Sequence, residues 1–231
     1  MSNLVFLTGG TGFLGHHLVP LLVRAGYRVR LLARPTSNLA WLPRHGVEVF
    51  PGDITQPQSL ETAMHGCCAV IHAAGLFRFW GAEETFQRVN HHGTRHVAET
   101  AAKSGVDCFV HISSIAVVGT PPPTPFDENI SCHPQDAYQR SKLDGERVVR
   151  DLAESGALPA VILRPGGFYG PGSTYGFNRL FLLDPLRGLR VQVDRGRRFT
   201  FPVYIADVAQ AILAALRFAP IGQIYHICDT P

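Results

Sequence analysis

The chain has 231 residues, 45% of them hydrophobic and 17% charged, with a formal charge of +3 at pH 7. That is enough length and apolar content for one large α/β core, and it excludes a disordered chain. The basic residues are scattered, which argues against nucleic acid as a partner, and no apolar run is long enough to span a membrane.

Five cysteines (Cys67, Cys68, Cys108, Cys132 and Cys228), odd in number and without a C-x-x-C pair, suit reduced thiols in a cytoplasmic protein. Met1-Ser2-Asn3 leads straight into the first strand, leaving no room for a signal peptide.

The first strand-like run, Leu4 to Leu7, is followed by Thr8-Gly9-Gly10-Thr11-Gly12-Phe13-Leu14-Gly15 and an amphipathic helix over Phe13 to Ala25. Glycines at this spacing suit a strand turning sharply into a helix. Gly9 takes the tight turn, Gly12 lets a ligand approach the backbone, and Gly15 lets the helix pack on the sheet. The free N–H groups of the helix start then form an anion site for a pyrophosphate, so Gly9, Thr11, Gly12, Phe13, Leu14 and Gly15 are candidate dinucleotide contacts. Pro20 lies inside this helix and is expected to kink it or cost it a hydrogen bond.

The second run, Arg28 to Ala33, ends at Arg34, and no acidic residue occurs before Glu48. An NAD site of this type places an Asp or Glu about 20 residues after the glycine turn to bind the ribose 2′-hydroxyl. A guanidinium pairs instead with a 2′-phosphate, so NADP is the expected cofactor and NAD the alternative. A third strand over Val47 to Phe50 leads to Asp53 and Ile54, candidates for the adenine end. A helix over Ser59 to His65 precedes the fourth strand, Ala69 to His72, whose end at Ala73-Ala74-Gly75 is expected beside the cofactor.

Next come the aromatic run Phe77-Arg78-Phe79-Trp80, a helix over Glu83 to Ser104, a fifth strand over Cys108 to Ser113 and a proline-rich loop over Thr120 to Pro125. The helix over Asp136 to Ser155 carries Tyr138 and, four residues on, Lys142, one of only two lysines. At that spacing both share a helix face, and an ammonium near a phenol lowers a pKa otherwise near 10, making Tyr138 an acid/base. Ser114, at the carboxyl end of the fifth strand, could hold a substrate oxygen.

A strand over Val161 to Leu163, an excursion over 166–200 rich in Gly, Pro and Arg, a helix over Ile205 to Phe218 and a strand over Gln223 to Ile227 complete the chain. Apolar strands alternating with helices predict a doubly wound parallel α/β sheet of the Rossmann type, read as one domain over 1–231.

The glycine turn, Ser114, Tyr138-x-x-x-Lys142, Arg164-Pro165-Gly166-Gly167-Phe168-Tyr169-Gly170-Pro171-Gly172 and Val203-Tyr204-Ile205-Ala206-Asp207-Val208-Ala209 together resemble the extended short-chain dehydrogenase/reductases, over essentially the whole chain. The resemblance implies that Tyr138 is the catalytic acid/base, that Lys142 also holds the nicotinamide ribose, and that Ser114 polarises the reacting C–O group, with Ser113 as its competitor. It further implies that Asn90 supports the active site and that Pro165 and Gly167 touch the nicotinamide.

Members of that family continue for many residues beyond Pro231, so most of a C-terminal substrate-binding region is expected to be missing. Arg34-Pro35 and the aromatic run look more like the dihydroflavonol-reductase and 3β-hydroxysteroid-dehydrogenase-like branch, which implies a partly apolar small-molecule substrate. The helices over Glu83 to Ser104 and Asp136 to Ser155 form a dimer interface in many relatives, so a homodimer is an expectation. The resulting reading is an NADP-dependent oxidoreductase acting on a secondary alcohol or ketone. The alternatives are a nucleotide-sugar epimerase or dehydratase retaining NAD, and a non-catalytic dinucleotide-binding protein.

His92 and His96 stand at i, i+4 but lack a third ligand, so no metal is expected. Arg195, Arg197 and Arg198 read as a solvated turn rather than a phosphate grip. No serine-hydrolase elbow or P-loop is present.

Overall fold

The computed structural model describes residues 2–173, 175–189, 194–196 and 199–229. β1 (Leu4–Thr8) is buried from end to end and turns directly into α1 (Phe13–Arg24), which continues unbroken through Pro20. β2 (Arg28–Ala33), β3 (Val47–Pro51), α2 (Leu60–Met64) and β4 (Ala69–His72) follow.

A long helical rod comes next: α3 (Glu83–Phe86), a π-helical stretch (Gln87–Gly93) and α4 (Thr94–Ser104), which ends at Gly105 in the left-handed conformation that favours glycine. β5 (Cys108–Ile112), α5 (Ala137–Glu154) and β6 (Ala160–Pro165) complete the central sheet's main run, and the short strand β7 (Gly167–Tyr169) begins the excursion. Within the excursion lie α6 (Gly176–Asn178), a π-helical turn (Arg179–Leu183) and α7 (Asp184–Leu186). β8 (Pro202–Tyr204), α8 (Ile205–Phe218) and β9 (Ile224–Ile227) close the described chain.

The main sheet has seven parallel strands in the order β3-β2-β1-β4-β5-β6-β9, the predicted doubly wound arrangement. Its interior strands β1, β4, β5 and β6 are buried on both faces, which is why they read as unbroken apolar runs, while the edge strands β3 and β9 are partly exposed. One apolar core fills the space between the sheet and α1 and α8; a second packs α2, α4 and α5 on the opposite face.

β7 pairs in parallel with β8 in a separate two-stranded sheet, with Gly167, Phe168 and Tyr169 opposite Pro202, Val203 and Tyr204. The excursion thus leaves and rejoins the body through adjacent strands. Among the described residues no helix is long and apolar enough to cross a membrane, and all five cysteines are free thiols.

Candidate active site

The glycine turn has the geometry a dinucleotide needs. Gly9 adopts φ +75°, and a Cβ there would stand 2.5 Å from the Ala73–Ala74 backbone, so the β1 turn and the end of β4 approach as closely as atoms allow. A Cβ on Gly15 would collide with the Gly10 backbone, so this glycine lets α1 start hard against the turn. A Cβ on Gly12, by contrast, would meet only the Gly9 carbonyl at 3.3 Å, leaving its outer face open.

Gly12 caps α1 without a side-chain hydrogen bond, and no acidic residue occupies the first turn. The N–H groups there are free to meet a phosphate with the favourable end of the helix dipole behind them. These residues therefore fit a dinucleotide.

Around this turn the other predicted contacts fall at the carboxyl ends of strands. Arg34 is exposed directly after β2. The Asp53 carboxylate is engaged locally, with Oδ1 accepting the Thr55 N–H at 2.8 Å and the Thr55 hydroxyl at 2.9 Å, and Ile54 is buried. Ala73 and Ala74 border the turn. A Cβ on Gly75 would face Asn90 Oδ1 at 3.4 Å and Lys142 Nζ at 3.9 Å, so the end of β4 meets the catalytic candidates.

Beneath them runs a directional chain of hydrogen bonds. Thr94 donates its hydroxyl proton to the Asn90 carbonyl (2.6 Å), so its oxygen accepts from His72 Nε2 (2.9 Å), and His72 Nδ1 in turn accepts from the Thr8 hydroxyl (2.7 Å). This fixes the His72 tautomer. Burial first, and then the charge of Lys142, pushes its pKa down to about 3, so the ring is neutral.

Asn90 lies in the π-helical stretch, where the widened turn brings it onto the loop after β4. Its Oδ1 accepts the Leu76 N–H (2.7 Å), while its Nδ2 donates to the Leu76 carbonyl (3.0 Å) and the Ser141 hydroxyl (3.0 Å). Asn90 thus clamps that loop to α5, whose close approach is possible because Gly145 has no Cβ to strike the Asn90 carbonyl.

α5 is capped by Asp136, whose side chain accepts the Gln139 N–H at 2.8 Å, and presents Tyr138 and Lys142 on one face. Lys142 is buried and donates from Nζ to the Ile112 carbonyl at 2.7 Å. Burial lowers its pKa to about 8, opposed by the negative charge of Glu146.

The phenol of Tyr138 departs from the expectation that Lys142 lowers its pKa. Burial raises it above its ordinary value of 10, with the Ser114 hydroxyl pulling the other way through a hydrogen bond. The Lys142 ammonium is turned towards the Ile112 carbonyl.

Tyr138 and Ser114 open onto a cleft of about 440 Å³. Its walls include Phe13, Pro165, Gly167 and Phe168 on one side and Phe77, Phe79, Tyr175 and Phe181 on the other. Phe77 packs edge-on against Tyr138 with ring centroids 5.1 Å apart. Ser113 also borders the cleft, but its hydroxyl donates to Glu146 Oε2 at 2.6 Å, whereas Ser114 caps the turn after β5 by accepting the Ala116 N–H at 3.2 Å.

Of the residues set aside, His96 Nδ1 pairs with the Ile54 carbonyl at 3.0 Å and Arg195 sits exposed in a left-handed turn (φ 55°). Arg197 and Arg198 lie outside the described residues. The excursion, expected from sequence to lie towards a substrate, contributes Tyr175, Phe177, Leu180 and Phe181 to the cleft, whereas the buried Glu146–Arg164 pair behind it was unforeseen. The available sign of the latter was spacing alone: Glu146 falls one turn beyond Lys142 on the same helix face.

Residues 5–228 match the model of the NAD dependent epimerase/dehydratase family. The chain is 30% identical over 228 residues to the 4-hydroxy-2-methyl-3-oxo-4-farnesyl-3,4-dihydroquinoline-1-oxide ketoreductase of Stigmatella aurantiaca, covering 97% of this chain and 67% of the relative. It is 33% identical over 224 residues to the ceramide reductase of Caulobacter vibrioides, covering 96% and 63%. It therefore spans about two thirds of the length of these curated relatives. The crystal structure of the Thermus thermophilus UDP-glucose 4-epimerase in complex with NAD superposes with a TM-score of 0.86 at 27% identity, covering 99% of this chain and 78% of that one.

Proposed function

This chain belongs to the NAD-dependent epimerase/dehydratase family, and from that premise we propose that it serves an NADP-dependent oxidoreductase acting on a secondary alcohol or ketone of a small, partly apolar substrate. The observation that carries the reading is the cleft wall. Among its described residues there is no Lys, Arg, His, Asp or Glu; hydroxyl groups cluster at Ser114 and Tyr138, and aromatic and aliphatic side chains make up most of the rest. The described part of the wall suits an apolar carbonyl compound and carries no cation to pair with a nucleotide diphosphate. The names of the ketoreductase and ceramide-reductase relatives point to the same class of substrate.

In this reading the glycine turn and α1 hold the pyrophosphate, Arg34 meets the 2′-phosphate, and Pro165 and Gly167 border the nicotinamide. The nicotinamide, when bound, supplies or accepts the hydride. Tyr138 handles the proton. With its pKa raised by burial the phenol is protonated throughout the neutral range, ready to donate to a carbonyl oxygen, while Ser114 donates a hydrogen bond to the same oxygen. Lys142 contributes a buried positive charge and Asn90 fixes the loop over it.

The test is oxidation of NADPH followed by absorbance with medium-chain methyl ketones such as decan-2-one, with UDP-glucose as the contrasting substrate. Net oxidation with the ketone supports the reading. Interconversion of the sugar without net absorbance change overturns it in favour of an epimerase, the reading that the fold of the NAD-bound UDP-glucose 4-epimerase favours.

A further inference from the structure

One face of α5 meets the end of β5 residue by residue. Tyr138 faces Ser114, Lys142 bonds the Ile112 carbonyl at 2.7 Å, and Glu146 accepts the Ser113 hydroxyl at 2.6 Å. Glu146 is wholly buried and also takes both arms of Arg164, the buried arginine of β6, with Nε–Oε2 at 3.0 Å and Nη2–Oε1 at 2.6 Å. Arg164 in turn donates to the Glu128 carbonyl at 3.3 Å, and Glu128 Oε1 accepts the His226 N–H of β9 at 2.8 Å. A single carboxylate therefore ties the catalytic helix to two adjacent strands, with a further link to the sheet edge.

The geometry points to Glu146 as a positioning residue of the proposed reaction, one that sets Ser114 through its neighbour Ser113 and balances the buried charge of Lys142. The inference rests on the reading of Tyr138, Lys142 and Ser114 as the reacting set. A bidentate pair with no access to water is costly to build and gains its worth from the geometry it imposes.

Among the described residues, the charged and titratable groups around Lys142 leave Glu146 alone to perform the balancing. His72 of β4 and His111 of β5 are both held neutral by burial, and His111 has no partner on either ring nitrogen. Tyr138 is protonated, and the other buried charge in the network, Arg164, is itself bound to Glu146.

The test does not depend on turnover. Because the chain has only two lysines, labelling with [ε-13C]lysine gives two NMR signals, assigned with the Lys103→Arg variant, and the Lys142 signal can be titrated against pH. In Glu146→Gln the Lys142 midpoint is expected to fall by about one pH unit or more. If Glu146→Gln does not fold, Glu146→Gln/Arg164→Met removes both charges without leaving either buried alone, and a smaller fall in the same direction is expected, because a nearby positive charge is lost with the negative one. A folded variant whose Lys142 midpoint matches the wild type, even with lower thermal stability, overturns the proposal and reduces Glu146 to a structural residue. Failure of the ketone assay with a shifted midpoint would instead refute the reductase reading and leave the Glu146–Lys142 coupling standing.

Discussion

The two ends of the cleft are built on different principles. On the cofactor side, backbone meets backbone: Gly9 against Ala73 and Ala74, Gly15 against Gly10, Gly145 against Asn90, each contact closed to any larger residue. On the substrate side, short helical pieces over 176–186 carry large apolar side chains outwards, with Leu186 84% exposed, and the Phe77–Trp80 loop packed beside them on Tyr175 leaves Trp80 77% exposed. The first region specifies one ligand geometry through atoms that cannot move. The second offers a surface whose chemistry, rather than whose shape, selects what it meets.

Substitutions should break this contrast in graded steps. Gly15→Val forces a branched side chain into the Gly10 backbone and is expected to cost more than about 4 kcal/mol, seen as loss of cooperative unfolding or of cofactor binding. Tyr138→Phe keeps the edge-on packing with Phe77 and should lower turnover by at least about 100-fold while leaving the dissociation constant for NADPH unchanged.

Acidification probes the polar layer between the two. The folded pKa of His72 is about 3, against 6.5 for an ordinary histidine, so below pH 6.5 the unfolded chain binds more protons than the folded one and stability falls with pH. From pH 7 to pH 5 the loss should be about 2 kcal/mol for this residue, in the same direction for His111, measured by urea unfolding. Arg34→Ser should weaken NADPH about tenfold and leave NADH unaffected. Leu186→Ser, on the outward face of the excursion, should change stability by less than about 0.5 kcal/mol.

The same contrast separates what was legible in the sequence from what was not. The sheet was readable because its interior strands are buried on both faces and so spell apolar runs; Leu4 to Leu7 and Ala69 to His72 carry their own boundaries. The glycine turn was readable because steric exclusion leaves one residue type at Gly9 and Gly15. β7 and β8 were not, since three-residue strands carry no period, and Gly176 and Pro185 hide the helical turns between them.

The polar layer was hidden for a different reason. Glu146 and Arg164 are residue types that normally face water, and only tertiary structure makes them a buried pair. The direction of Lys142 was likewise beyond spacing: i, i+4 places it on the same face as Tyr138 but does not decide that Nζ turns to the Ile112 carbonyl.

The stem formed by β7 and β8 has a consequence for how such proteins diversify. Gly167 N–H bonds the Phe201 carbonyl at 2.7 Å, and Asp229 ties both strands by accepting from the Tyr169 hydroxyl at 2.7 Å and the Tyr204 N–H at 3.2 Å. With its two ends already joined, the intervening segment behaves as an exchangeable cassette, because lengthening or replacing it adds little closure entropy and leaves the sheet untouched. Evolution can rewrite what the cleft accepts between Gly170 and Phe201 while Ser114 after β5 and Tyr138 and Lys142 on α5 stay where they are.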